Sequence, residues 1–183
     1  MNSVPDFEAF RPYLTILVRG QIPMSVQSRL DASDIVQETL LEAHRKQDQY
    51  EGSREPRQIA GWLRRLLSCN LADALRTHYR QQRDVRRELD VQRTLDESSL
   101  GLDHLLLAED TTPSQRLDRN FRALKVAKAL EQLPDNQKSA ILLRYFQHAS
   151  LEEIALSLET TKPATAGLLK RGLATLREQL REE

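Results

Sequence analysis

Apolar residues recur at three- and four-residue spacing from Phe7 to Val18, from Ile35 to Ala43 and from Ile59 to Leu75, the period of helices that each bury one stripe. The third run enters an Arg-rich stretch without meeting a helix breaker, so the three form one N-terminal helical domain. Between the second and third lies "QDQYEGSREPRQ", where Gly52, Ser53 and Pro56 punctuate a loop. After Arg93 the segment "TLDESSLGLDHLLLAEDTTPSQRL" loses strict periodicity and gains acids, Ser, Thr, Gly and Pro. It reads as a linker with room for a short helical piece at Leu102 to Ala108. Four further helices are expected over Asn120 to Leu133, Asp135 to Phe146, Leu151 to Leu158, and Lys162 to about Arg181. The expected fold is all-α, two small helical domains over residues 1–93 and 120–183 joined by an acidic linker at 94–119.

The second helix, "DASDIVQETLLEAH", separates its faces sharply. At about 100° per residue, Gln37, Glu38, Leu41 and Arg45 fall on the same side as Asp34, while Ile35, Val36, Thr39, Leu40 and Ala43 fill the opposite arc. The outer stripe is polar with a single leucine in its middle, the pattern of a small hot spot and its rim. Carboxylates repel phosphate, so this side does not face nucleic acid. Asp31, Asp34 and Glu38 also raise a metal site, but no histidine shares the stripe and carboxylate-supplied Mg²⁺ sites usually include a substrate phosphate; none is expected.

The third helix directs Trp62, Leu63, Leu66, Leu67, Leu71, Ala74 and Leu75 inward and Arg65, Arg76 and Arg80 outward. Asn70 falls on the apolar arc, where it is either a satisfied core amide or a base contact, and Trp62 is either core or a stacking platform. In the C-terminal half, Ser150 and Glu153 have capping-box spacing, and Thr161 followed by Pro163 suits a helix start. Only "ETT" separates the last two helices, the tight junction a helix-turn-helix needs. On the last helix Thr165, Leu169, Leu173 and Leu176 form the apolar stripe, leaving Lys162, Ala166, Lys170 and Arg171 outside with Gly167 among them. A glycine inside a helix costs roughly 1 kcal/mol relative to alanine. Either a neighbouring helix crowds Gly167 or another backbone approaches it from outside.

Hydrophobic residues make up 39% of the 183 positions and aromatics only 5%, with 6 Gly and 7 Pro, which favours amphipathic helices over strands. The formal net charge is zero, yet the signs are kept apart. Ser53 to Arg87 holds nine arginines against Glu55, Asp73 and Asp84, whereas Asp90 to Asp118 holds seven acids against Arg93 and Arg116. Blocks of opposite sign point to partners of opposite character. Cys69 is the sole cysteine, which excludes an intrachain disulfide and suits a reducing compartment; on the helical wheel it lies near the apolar arc and is expected to be buried. No signal-peptide pattern or apolar run of about 18 residues is present, so a soluble cytoplasmic protein without membrane insertion is expected. His44, His78, His104 and His148 are scattered, and no phosphate-binding glycine loop, H-E-x-x-H or G-x-S-x-G occurs. Neither catalysis nor a cofactor is expected.

The segments "DASDIVQETLLEAH", "GWLRRLLSCNLADALR", "LEQLPDNQKSAILLRYFQHASLEEIALSL" and "TTKPATAGLLKRGLATLREQL", in this order and spacing, resemble a bacterial RNA polymerase sigma factor of the extracytoplasmic-function (group IV) class, in particular its planctomycete-type branch. The resemblance implies that residues 1–93 are sigma region two, which docks on core polymerase and holds the minus-ten promoter element. It makes residues 120–183 sigma region four, a helix-turn-helix for the minus-thirty-five element. Asp34, Gln37, Glu38 and Leu41 would meet the β′ clamp helices, with the β flap as a second polymerase contact. The loop from Gln49 to Arg57 would capture an unstacked non-template base through Tyr50, Ser53, Arg54 and Arg57. Arg76, Arg80, Arg83, Arg86 and Arg87 would hold phosphates, and Asn70 joins this minus-ten set. Thr161, Lys162, Ala166, Gly167, Lys170 and Arg171 would face the minus-thirty-five groove. The acidic linker would thread toward the RNA exit channel, and an anti-sigma factor is a further candidate partner.

Two positions depart from the family pattern: Glu159 stands where glycine is common in the turn, and Thr165 where valine is usual. The rival readings are a free-standing helix-turn-helix regulator that acts without polymerase, and a helical adaptor that binds no DNA.

Overall fold

A computed structural model describes residues 5–22, 29–50, 52–79, 85–104 and 119–181. Among them are eight α-helices and no strand: α1 Arg11–Gln21, α2 Ala32–Arg45, α3 Pro56–Tyr79, α4 Val85–His104, α5 Arg119–Glu131, α6 Asp135–Tyr145, α7 Leu151–Ser157 and α8 Lys162–Arg181. Single 3₁₀ turns at Glu8–Phe10 and Gln47–Gln49 lead into α1 and out of α2.

Helix α1 buries Tyr13, Leu14, Ile16, Leu17, Val18 and Gly20, too wide an apolar surface for one neighbour. It accordingly packs against α2, α3, α4, α5 and α6. Ile35, Val36, Thr39, Leu40 and Ala43, the arc expected from the helical period, are buried on α2, and Ala32 joins them in its first turn. Asp31 caps this helix by accepting from the Ser33 N–H at 2.8 Å, so one acid of the stretch serves the fold. On α3, Leu63, Leu67 and Leu71 are fully buried, with Trp62, Leu66, Ala74 and Leu75 partly covered around them.

The expected linker gives way, as far as His104, to helix α4. Leu95, Ser98, Ser99 and Leu102 are buried, which is helical i, i+3, i+4, i+7 spacing. Half of that face is serine, so a hydrophobic pattern alone misses it. The serines are buried because each has a partner: Ser99 Oγ lies 2.8 Å from the Tyr13 hydroxyl, and Ser98 Oγ accepts from Gln21 Nε2 at 2.6 Å. The remainder of the expected linker, 105–118, and with it most of the anticipated helical piece at Leu102 to Ala108, lies outside the described residues.

The two halves also share one apolar core, which runs from Phe7 through Leu95 and Ala123 to Leu176. Gly20 makes this contact close, because a Cβ there would lie 2.7 Å from the Phe146 ring. Gln147 Nε2 donates to the Ile22 carbonyl at 3.1 Å, and Arg19 pairs with Glu131 at 3.5 Å. A smaller cluster of Ala140, Leu143 and Ile154, flanked by Leu158, Leu168 and Leu169, closes the C-terminal hairpin.

The junction of α7 and α8 is built by its caps. Ser150 and Glu153 form the reciprocal capping box. At the other end the Thr160 N–H donates to the Ala155 carbonyl at 2.8 Å and the Glu159 N–H to Leu156 at 3.3 Å, the paired bonds of a Schellman motif. That motif needs a left-handed residue, and Glu159 has φ 49°, a region costly for a residue with a Cβ. Thr165, the second departure, is fully buried and its hydroxyl has no hydrogen-bond partner. Glu159→Gly and Thr165→Val are each expected to stabilise the protein by about 1 kcal/mol, read as a higher urea midpoint at unchanged slope.

Candidate functional site

Three surfaces carry the residues that the sequence singled out. On α2, Asp34, Gln37, Glu38 and Leu41 are all exposed, and Leu41 keeps 40% of its surface open. The stripe is partly ordered by neighbours. Arg11, which also bonds Glu8, donates from Nη2 to Gln37 Oε1 at 2.8 Å, and Arg45 approaches Glu38 at 3.4 Å. The result is a polar rim of acids, amide and arginines around one accessible leucine.

The second surface is the loop between α2 and α3. The Tyr50 hydroxyl donates to the Ser53 carbonyl at 2.6 Å, and the Ser53 N–H donates to Gln58 Oε1 at 2.7 Å. Gly52 is required by close approach, since a Cβ there would fall 2.5 Å from the Tyr50 hydroxyl. The Tyr50 ring rests 5.1 Å from Trp62, which lies 5.5 Å from Phe7. Trp62 is therefore both half in the core and half the floor of an open cavity of about 410 Å³, lined by Tyr50, Gly52, Trp62, Arg64, Gln92 and Asp96 among others. Burial raises the Tyr50 phenol above its ordinary value, so it stays a neutral donor. Ser53, Arg54 and Arg57 are exposed at this loop. Farther along α3, Arg76 is exposed and donates to Asp73 at 2.6 Å. Arg80 and Arg83 lie outside the described residues, and of Arg86 and Arg87 only the helical backbone is described.

Asn70 sits apart from the loop. Its Nδ2 donates to Thr39 Oγ1 at 3.1 Å and to Glu42 Oε2 at 3.0 Å, so both amide protons are used between α2 and α3. This is the satisfied core amide that the apolar arc allowed. Glu42 is held below its ordinary value of 4.5 by hydrogen bonds from Lys46 first and Asn70 also. A carboxylate with a lowered folded pKa stabilises above its unfolded value and loses that contribution only as pH falls through the folded one, so the link is intact at neutral pH. Asn70→Ala is expected to cost about 1–2 kcal/mol of stability, read as a lower urea midpoint at unchanged slope. Cys69, expected to be buried, is exposed: it lies one position past the buried Ser68 and two past Leu67, where the helix turns outward.

The third surface is α8. Thr161 accepts from the Ala164 N–H at 3.3 Å as its cap. Lys162, Ala166, Lys170 and Arg171 are exposed, while Thr165, Gly172 and Leu176 are buried. Lys162 is engaged by Glu152 across the turn, which holds the Glu152 carboxyl below its ordinary value. Gly167 meets no neighbouring helix: a Cβ there would find Arg171 of its own helix at 3.3 Å. Crowding instead explains Gly172, whose Cβ would lie 2.9 Å from Ile141 and which the helical pattern did not single out. Gln92 and Asp96 at the loop cavity were also missed, because α4 was not expected as a helix, and with them the role of Arg64 on α3, which bonds Asp96. Among the described residues no group of three or more His, Cys, Asp or Glu is arranged to hold a metal ion, and no helix is long and apolar enough to cross a membrane.

Residues 123–176, from the middle of α5 to the last buried leucine of α8, match the family described as Sigma-70, region 4. The chain is also 27% identical over 158 residues to the RNA polymerase sigma factor SigV of Bacillus subtilis (strain 168), covering 86% of this chain and 81% of that protein.

Proposed function

We infer that this chain is a bacterial RNA polymerase sigma factor of the extracytoplasmic-function group, which directs core polymerase to specific promoters for transcription initiation. One observation carries the inference. The capped hairpin α7–α8, with Lys170 and Arg171 outward, lies inside the segment similar to Sigma-70 region 4, on a chain whose similarity to a sigma factor extends across the N-terminal bundle as well. Its placing in the planctomycete-type branch rests on the four quoted segments.

The division of labour follows from charge. The α2 stripe, which repels phosphate, suits a protein surface, and Asp34, Gln37, Glu38 and Leu41 are assigned to the β′ clamp helices. The loop with Tyr50, Ser53, Arg54 and Arg57 captures an unpaired minus-ten base, a step that exchanges stacking in DNA for contacts in a protein pocket. Arg76, Arg80 and Arg83 neutralise phosphates, which position the strand without reading it. Thr161, Lys162, Ala166, Gly167, Lys170 and Arg171 face the minus-thirty-five groove, with Gly167 allowing close approach and Lys162 exchanging Glu152 for phosphate. The acidic segment expected as a linker is assigned to the path through polymerase toward the RNA exit channel, and region four meets the β flap. The chain recognises and does not catalyse, it works in the cytoplasm, and an anti-sigma factor is the class of protein that would compete for the α2 stripe.

The rival, a free-standing helix-turn-helix regulator, leaves the α2 stripe and the loop cavity without a role. A gel shift on promoter duplex separates the two. The sigma reading expects weak binding by the chain alone and specific binding only with core polymerase; tight specific binding without polymerase would contradict it.

A further inference from the structure

The cavity beside the Tyr50 loop has a wall from outside the segment assigned to DNA. Gln92 and Asp96, both on α4, line it together with Tyr50 and Trp62. Asp96 is fixed there from one side. Its Oδ1 accepts from Arg64 Nε at 2.6 Å and its Oδ2 accepts from Gln92 Nε2 at 3.0 Å. Arg64 Nη1 in turn donates to the Tyr13 hydroxyl at 2.7 Å, which meets Ser99 at 2.8 Å. This chain of side chains pins α4 to α1 and α3. Arg64 is the buried end, with a side chain only 15% exposed, whereas that of Asp96 is 46% exposed.

A carboxylate oxygen has two acceptor positions and no donor. With one position on each oxygen taken, Asp96 still offers the cavity acceptors and nothing else. Its charge disfavours phosphate and favours N–H groups. An unpaired base held over Tyr50 and Trp62 presents its Watson–Crick edge to such a wall. Cytosine, adenine and guanine present an exocyclic amino group, and carboxylate pairing with the cytosine amino group is an established geometry. Thymine presents one ring N–H between two carbonyl oxygens, which the carboxylate repels.

We propose that Asp96, with Gln92 orienting it, is a specificity determinant that accepts from the exocyclic amino group of the captured minus-ten base and discriminates against thymine. The proposal rests on base capture by the loop.

The test is transcription by reconstituted holoenzyme on a promoter library randomised across the minus-ten element. The wild type is expected to prefer an amino-bearing base over thymine by about tenfold at one position, within the range of a good base contact. Asp96→Ala should bring that ratio to within about twofold and leave other positions unaltered. Asp96→Asn, which keeps an acceptor for Arg64 but adds N–H donors, should raise the use of thymine there. Ser99→Ala loosens α4 without touching the cavity and should lower total output with the base profile unmoved. If both Asp96 variants keep the wild-type profile while Tyr50→Ala flattens one position, the proposal fails and base capture stands. If Tyr50→Ala also flattens nothing, base capture fails with it. If Ser99→Ala reproduces the Asp96→Asn profile, the effect is docking of α4, and the proposal is overturned.

Discussion

Asp34→Arg combined with Glu38→Arg is expected to abolish co-purification with core polymerase, a loss of about 100-fold or more in affinity. Both carboxylates are exposed on one face of α2, one turn apart, and neither holds the fold together. Asp34 lies in the first turn, where an acid favours the helix dipole by only about 0.3–1 kcal/mol. The Glu38–Arg45 contact, with both side chains more than half exposed, belongs to the class of surface pairs worth little. The double variant should therefore keep its helical content and melt within a few degrees of the parent. Across an interface, by contrast, like charges brought together cost several kcal/mol, and every 1.4 kcal/mol is tenfold. Leu41→Ala removes a 40%-exposed side chain at the centre of that rim and is expected to weaken binding by about tenfold. Undiminished co-purification of the double variant would sink the assignment of this stripe.

Lys170→Ala combined with Arg171→Ala is expected to lower transcription from minus-thirty-five-dependent promoters by about 10- to 100-fold. Both side chains are exposed on α8, while the buried Thr165, Gly172 and Leu176 hold that helix to its neighbours, so stability should change little. Removing a cation that neutralises one phosphate also reduces the dependence of binding on salt by about one unit of slope. Holoenzyme titrations at several ionic strengths therefore distinguish a missing phosphate partner from a misfolded domain. Unchanged promoter-dependent output would favour the adaptor reading, in which the chain binds no DNA.

What was legible in the sequence was whatever follows from a strict helical period. The buried arc of α2 was assigned at five of its six positions, Ala32 in the first turn being the one passed over, because a buried arc and an outer stripe leave little ambiguity at about 100° per residue. The α7–α8 junction was legible for a different reason: Ser150, Glu153 and Thr161 are residues whose side chains satisfy backbone groups at helix ends, so their spacing carries the geometry. The identity of Glu159 as an unusual turn residue was likewise visible, although its left-handed φ was not.

Helix α4 was hidden because its buried face uses Ser98 and Ser99, whose burial makes sense only once Gln21 and Tyr13 stand opposite them. Polar residues satisfied by distant partners have no period of their own. The same holds for Asn70, whose partners Thr39 and Glu42 are 31 and 28 positions away in sequence. Gly172 and Gly20 were passed over for a related reason: each marks a close approach by Ile141 or Phe146, a tertiary fact that one helix cannot announce. The loop cavity combines these limits, since Trp62 and Arg64 come from α3 and Asp96 from a helix that the pattern had made a linker.

The most direct test is run-off transcription with purified core polymerase on a genomic promoter library, with and without this chain. The account predicts that core polymerase alone initiates without preference and that the chain confers initiation at a discrete set of sites sharing minus-ten and minus-thirty-five elements. Initiation patterns that do not change on adding the chain, while the chain binds duplex DNA tightly by itself, would contradict it.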